Sequence, residues 1–399
     1  MIRSADISFL SRKDYQMDKL TYNNTLRTQC FSLPDLCADQ IDGVKRGLLA
    51  IPTEMLKTCS RIIVTGCGDS YVAAKASIPA FEKFGGRSAS YLHERTINAA
   101  RYLPLAGNDH ADTLVIVVSC SGAPTRIQEV LRRANEHGCQ TLAVTNNLEG
   151  HAAKEAKYAL LVNTPTFPNA SPGLRNYYAS IVGLYLLAAA YGEARQTCPA
   201  GSVDAMAQAI AEYTQAYRPL LEGYDDQMFA LAKKWKDCAS FDLIGDDNAF
   251  CSAFFIAAKF AEVAGSITNI DDAENWCHLP FFQKNPDRIG TILVAEQQQN
   301  DRSRIRETVH QAAGIGRPVL LIADGTKEEF GITEDIVVCT VPAAPAEFEF
   351  VSALMQYIPG SLLAGYVSTL LHEPFFRGRA GVFADPGRPI FYSNVEVVS

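Results

Sequence analysis

The sequence predicts an α/β protein made of two tandem three-layer αβα domains, each a parallel sheet with helices on both faces. Three observations carry this expectation. Continuous apolar runs such as "RIIVTG" (61–66) and "TLVIVVS" (113–119) alternate with stretches of helical spacing, the pattern of strands buried on both faces. The alternation restarts after residue 222 with "SFDLIG" (240–245), a repeat of architecture at a period of about 180 residues. At 399 residues, 48% hydrophobic and 20% charged, the chain is long enough for two such cores.

The elements follow in order. Residues 1–45 read as a polar N-terminal extension, irregular until "LPDLCADQIDGVKRGLLA" takes up helical spacing. The first domain, 46–195, then predicts strand 61–66, a helix over 70–84, strand "SASYLH", a helix near 94–102 and strand "TLVIVVS". The helix "PTRIQEVLRRANEHG" follows and stops at Gly138, then come strand "QTLAVTN", a short helix near 150 and strand "YALLV". The segment 173–222 reads as helical, and its apolar stretch "YYASIVGLYLLAAAYG" is expected to pack between domains, with 196–222 as an interdomain helix. The second domain, 223–385, repeats strand, polar turn and helix twice, and 386–399 form a tail.

Composition removes several function classes. The net charge is −8 and no block of basic residues could track a phosphate backbone, so nucleic acid is not expected as a partner. Small phosphates stay open, because loop amides and helix N-termini act at short range. The N-terminus lacks the apolar core of a signal peptide, and "IVGLYLLAAAYG" is too short for a membrane span of about 20 residues. The 11 cysteines are scattered without a C-x-x-C pair. No metal, cofactor or membrane is expected, and the compartment reads as cytoplasmic.

In open parallel sheets ligands sit beyond the C-terminal strand ends, which directs attention to four loops. "GCGDS" places Gly66, Cys67, Gly68 and Ser70 where backbone can approach a ligand, though a structural turn has the same composition. "SCSGAPT" offers the hydroxyls of Ser119 and Ser121 around Cys120, then Gly122, with Pro124 suited to a first helical turn. One serine would suffice for an N-cap; two with a glycine favour a phosphate. Neither G-x-x-x-x-G-K-[ST] nor G-x-G-x-x-G occurs, so a phosphate monoester fits better than a nucleotide.

"AAKFAEVAG" puts Lys259 and Glu262 three apart on one helix face. On a surface this would be an ordinary ion pair. The Ala, Phe and Val neighbours imply burial instead, which raises a glutamate's pKa and suits proton abstraction beside a carbonyl. "DDAENWCHLPFF" carries Glu274 and His278, the histidine with the most suggestive setting of the 7 in the chain. The acidic pairs Asp246–Asp247 and Asp271–Asp272 are a weak metal alternative, since such pairs usually sit solvated in turns.

From about residue 45 onward, these loops in this order resemble the SIS (sugar isomerase) family, in particular the double-SIS isomerase half of glucosamine-6-phosphate synthase and its stand-alone relatives. The family's "GCGTS" and "SQSGET" turns stand here as "GCGDS" and "SCSGAPT". The resemblance implies two SIS-type domains in which Ser70, Ser119, Ser121 and the Cys120 backbone hold a sugar phosphate, with Thr125 standing in for a family threonine whose place Pro124 takes. The family's "KxxE" helix matches "KFAE". It implies Glu262 as the base that shuttles a proton between sugar C1 and C2, and Lys259 beside the substrate hydroxyls. "ENWCHLP" departs from the family's "ExxHGP" by one extra residue and by Leu279, and implies that His278 opens the sugar ring, typically in a neighbouring subunit's site.

Further departures narrow the expected reaction. The chain begins Met1-Ile2 without the synthase's glutaminase domain, and its end, "RPIFYSNVEVVS", lacks the synthase's lysine. The second domain's "VAEQQQND" has no paired serines or glycine, so one site per chain is expected, between the domains. The expected activity is a fructosamine-6-phosphate-type deglycase or deaminase without a cofactor, in a homodimer or higher homo-oligomer with shared sites. The alternatives are a simple aldose–ketose isomerase and a non-catalytic phosphosugar-binding regulator; residues 1–45 are too short and too little basic for an added helix-turn-helix domain.

Overall fold

The computed structural model describes residues 19–165, 167, 171–384 and 394–398. The polar stretch 1–18 and most of the expected tail lie outside the described residues.

Helix α1 (Thr25–Leu48) starts a full two turns before the expected point. Asn24 explains this, because its side chain accepts from the amides of Leu26 and Arg27, both at 3.1 Å, and so caps the helix upstream of Pro34. Next come α2 (Thr53–Thr58), β1 (Arg61–Gly66), α3 (Asp69–Gly85), β2 (Ser90–Arg95), α4 (Thr96–Arg101), β3 (Thr113–Val118), α5 (Thr125–Glu136), β4 (Gln140–Thr145), α6 (His151–Glu155) and β5 (Tyr158–Leu161). β3 is buried along its whole length, as an unbroken run of Leu, Val and Ile requires.

The helical segment after the first sheet consists of two helices. α7 (Leu174–Arg195) stops where Gln196 turns left-handed at φ 59°, and α8 (Ser202–Tyr217) restarts after Gly201. α7 is buried almost throughout and packs on α3 and α1, while Tyr177 stacks on Phe255 of the second half at 4.1 Å. Its apolar residues are consumed by the core. The apolar stretch 346–370, which has the hydropathy of a membrane span, is likewise buried inside the protein.

The second half contains α9 (Leu221–Trp235), β6 (Ser240–Gly245), α10 (Ala249–Lys259), β7 (Ile267–Asp271), α11 (Ala273–His278), β8 (Ile289–Ala295), α12 (Arg302–Gly314), β9 (Val319–Ala323), β10 (Val337–Thr340) and α13 (Ile358–Leu370). Two parallel five-stranded sheets result, ordered β2-β1-β3-β4-β5 and β7-β6-β8-β9-β10. The second order is the first transposed strand for strand, so the duplication extends to topology. In each sheet the strand order reverses between the first strand and the third, which opens a crevice there at the C-terminal ends. A continuous apolar core running through α3, α7, α10 and α13 joins the two sheets.

Candidate functional site

The crevice of the first sheet is shaped by the loop between β1 and α3. A side chain on Gly66 would meet the Ser70 backbone at 2.6 Å, and Gly68 stands at φ 55° with open space where a side chain would point. Both glycines are therefore required, one by close approach and one by its left-handed backbone. The loop forms one wall of a cavity of about 290 Å³, lined by Cys67, Gly68, Asp69, Ser70 and Cys120, with Glu262 on the side of the second half.

Glu262 reaches this cavity because α10 loosens into a π-helical turn, Phe260–Ala264, immediately after Lys259. Such turns are rare and shift a side chain out of ordinary helical register. Glu262 Oε2 lies 2.5 Å from Lys259 Nζ, and the same Nζ lies 2.7 Å from Asp69 Oδ2. Lys259 is fully buried, with its ammonium 4.4 Å from the centre of the Phe255 ring, whereas Glu262 keeps 28% of its side chain exposed. The lysine thus ties the first domain's loop to the carboxylate of the second.

Burial raises the Glu262 pKa, and the neighbouring Asp69 charge adds to it, against the pull of Lys259. For Lys259, burial works against the charged form, but Asp69 and Glu262 outweigh it and hold the ammonium charged. The arrangement leaves a carboxyl with raised proton affinity beside a fixed cation. That is the form of a general base.

The structure brings together Cys67, Gly68, Ser70, Cys120 and Glu262 at one cavity, with Gly66 shaping the loop beneath. Lys259 does not line it; its ammonium is spent on the two carboxylates rather than facing open space. Ser119, Ser121 and Thr125 do not line it either. The Ser119 hydroxyl accepts from the Gly122 amide at 3.2 Å and that of Ser121 from the Ala123 amide at 3.3 Å, so both close their own turn. Pro124 rather than a serine occupies the N-cap of α5, with no side-chain cap. His278 stands at the end of α11 with 68% of its side chain exposed, 2.9 Å from Oε1 of Glu274, whose Oε2 lies 2.7 Å from Arg304 Nε. It is not part of this cavity.

Sequence reasoning missed Asp69 and Tyr177. Asp69 stands where the resembling motif has threonine. Tyr177 is buried among the residues that line the cavity, and its hydroxyl has no hydrogen-bond partner among the described residues. Its place inside an apolar helical run gave no signal beyond packing.

A larger cavity, about 360 Å³, occupies the matching crevice of the second sheet. Asp246, Asp247, Glu296, Asp301 and Glu349 line it without a lysine or arginine, a wall that repels phosphate. Asp271 and Asp272 serve the neighbouring turn: Asp272 accepts from the Asn275 amide at 2.7 Å and Asp271 from the Asn275 side chain. Among the described residues no group of three or more potential ligands could hold a metal ion.

Burial raises Glu296 to about 7, against the Ser352 hydroxyl that donates to it at 2.6 Å. A carboxyl raised on folding contributes stability below its unfolded pKa and loses it as pH rises through the folded value. Glu296→Gln, which keeps the Ser352 contact, is therefore expected to match the parent in urea melts at pH 4.5 and exceed it by up to about 3 kcal/mol at pH 8. Equal stability of the two proteins at pH 8 would contradict the buried-carboxyl reading.

Residues 55–190 match the SIS domain family. Over 370 residues the chain is 23% identical to the isomerizing glutamine–fructose-6-phosphate aminotransferase of Chlorobaculum tepidum, covering 90% of this chain and 58% of that protein. The chain thus spans little more than half the length of this curated relative. The C-terminal domain of glucosamine-fructose-6-phosphate aminotransferase from Francisella tularensis superposes with a TM-score of 0.72 at 14% identity, over 90% of this chain and 96% of that one. Glucosamine-6-phosphate deaminase from Thermotoga maritima gives a TM-score of 0.57 at 16% identity, over 88% and 96%. These structural likenesses speak to the fold alone, which they share across both sheets. Residues 55–190 thus carry the likeness to the SIS domain, and the second half of the chain repeats the strand order of the first.

Proposed function

We propose that the protein is a phosphosugar-processing enzyme that moves a proton between C1 and C2 of a ketose or ketosamine 6-phosphate, with Glu262 as the base. The observation that carries this reading is the Glu262 carboxyl, of raised proton affinity, facing the glycine loop across one cavity and held by Lys259. The names of the similar proteins, which include an isomerizing aminotransferase and a deaminase of amino-sugar phosphates, support the same substrate class.

On a ketosamine, Glu262 takes a proton from C1, the C1–C2 enaminol forms, and the proton is returned at C2. The resulting C1 imine adds one water and releases the amine and an aldose 6-phosphate. With a free ketose the same transfer through an enediol is isomerisation. Lys259 does not touch the sugar in this scheme; it orients the carboxylate.

The ketosamine reading is preferred because a second cavity, about 320 Å³, adjoins the first through Cys120, Gly173 and Asn176, which line both. It gives room for a group attached to the sugar. His278, exposed and away from its own chain's cavity, fits a role in the site of a second copy, as the family resemblance implies. All 11 cysteines are free, which suits a reducing, cytoplasmic setting. Incubation with ketose 6-phosphates and their amine conjugates is expected to release amine and aldose phosphate from the conjugates. Isomerised sugar alone would select the isomerase alternative, and tight binding without turnover the regulator.

A further inference from the structure

The cavity adjoining the candidate site contains a cation for which the described residues supply no counter-ion. Arg175, in the first turn of α7, is half-buried in its wall, with the Phe167 ring centre 4.9 Å from the guanidinium carbon. Its Nε is buried and has no acceptor, and among the described residues no carboxylate pairs with it. Burial alone acts on its pKa, pushing it down. The Phe167 ring is the one favourable contact that the described residues give this guanidinium, and it supplies no counter-charge. A desolvated charge without a partner is unfavourable, and the first turn of a helix disfavours a cation.

Gln29, Asn146, Thr164, Ser171 and Asn176 add polar groups to the same wall. Asn146 Nδ2 donates to Thr164 Oγ1 and to Asn176 Oδ1, each at 2.7 Å, which leaves Asn146 Oδ1 buried without a partner. Arg175 and Asn146 thus both line the cavity, one with a guanidinium and the other with a carbonyl oxygen left without a partner among the described residues. A guanidinium pairs best with a planar oxyanion, and an amide oxygen accepts from N–H.

We propose that this cavity is a subsite for the carboxylate of an amino acid joined through its nitrogen to the sugar, with Arg175 as the specificity determinant. The proposal rests on the functional reading above, which puts the sugar in the adjoining cavity. It narrows the substrate class to amino-acid conjugates of a ketose 6-phosphate. A phosphate could use the same fork, so the test separates the two anions.

Binding is measured by titration calorimetry in the Glu262→Gln background, where no turnover intervenes. The probes are fructose 6-phosphate, its 1-amino-1-deoxy conjugate with glycine, and the conjugate with methylamine, which differs from the second only by the carboxylate. Adding Arg175→Met is expected to weaken the glycine conjugate by about tenfold or more, the scale of one charge-assisted pair, and to change the other two less than about twofold. Arg175→Lys should recover part of the loss, since it restores charge without the fork. An equal loss for all three probes would mean that Arg175 holds the phosphate, and an unchanged glycine conjugate would mean that no carboxylate subsite exists; either overturns the proposal. Failure of every probe to bind before Arg175 is changed would instead overturn the functional reading, and the subsite with it.

Discussion

Glu262→Gln is expected to lower turnover by ~10³-fold while phosphosugar binding changes little. The substitution keeps shape and removes only the capacity to accept a proton. The base sits where α10 gives way to a π-helical turn, with its carboxyl partly exposed to the cavity and its inner oxygen on Lys259. Because burial raises its pKa, the acidic limb of the kcat/KM profile should lie above the ordinary glutamate range, with activity rising as pH increases and the carboxyl loses its proton. Steady-state assays across pH 4–8 check both statements. Turnover within about threefold of the parent would remove Glu262 from the chemistry, where general base catalysis is worth 10² or more.

Lys259→Met is expected to destabilise the protein by about 3–5 kcal/mol, the scale for removing one partner of a buried ion pair. The lysine is wholly buried, and the substitution would leave Asp69 and Glu262 facing each other without the cation between them. Since Asp69 belongs to the first domain's loop and Glu262 to the second half, the loss falls on the contact that holds the two sides of the cavity in register. Adding Asp69→Asn to Lys259→Met should recover part of the stability by removing one of the stranded charges. Urea melts of the parent, the single and the double variant give the comparison. A single variant within 1 kcal/mol of the parent would show that the triad is not an electrostatic clamp.

The topology was legible because strands such as β3 are continuous runs of β-branched and aliphatic residues, a signal strong enough to survive without tertiary information. Helix limits were not. A proline normally marks a first turn, and Asn24 shows how a cap further upstream overrides it. In the site, the glycine loop and the Lys259–Glu262 pair could be read from spacing, whereas the π-helical turn that aims Glu262 could not. Ser119 and Ser121 illustrate a different limit: a hydroxyl can serve a ligand or its own turn, and the sequence is the same in both cases. Asp69 was hidden for another reason. Its role depends on Lys259, 190 residues away. Tyr177, Arg175 and Asn176 sit at the start of α7, where an apolar run downstream drew the reading toward packing.

The most direct test of the central claim is solvent hydrogen exchange into a ketosamine 6-phosphate and into fructose 6-phosphate in D₂O, followed by NMR. Deuterium is expected at C1 or C2 of substrate or product with the parent protein, and none with Glu262→Gln under conditions where both bind the sugar phosphate. Saturable binding by the parent with no deuterium at either carbon and no turnover would contradict it, and would make the interdomain cavity a sensor rather than an active site.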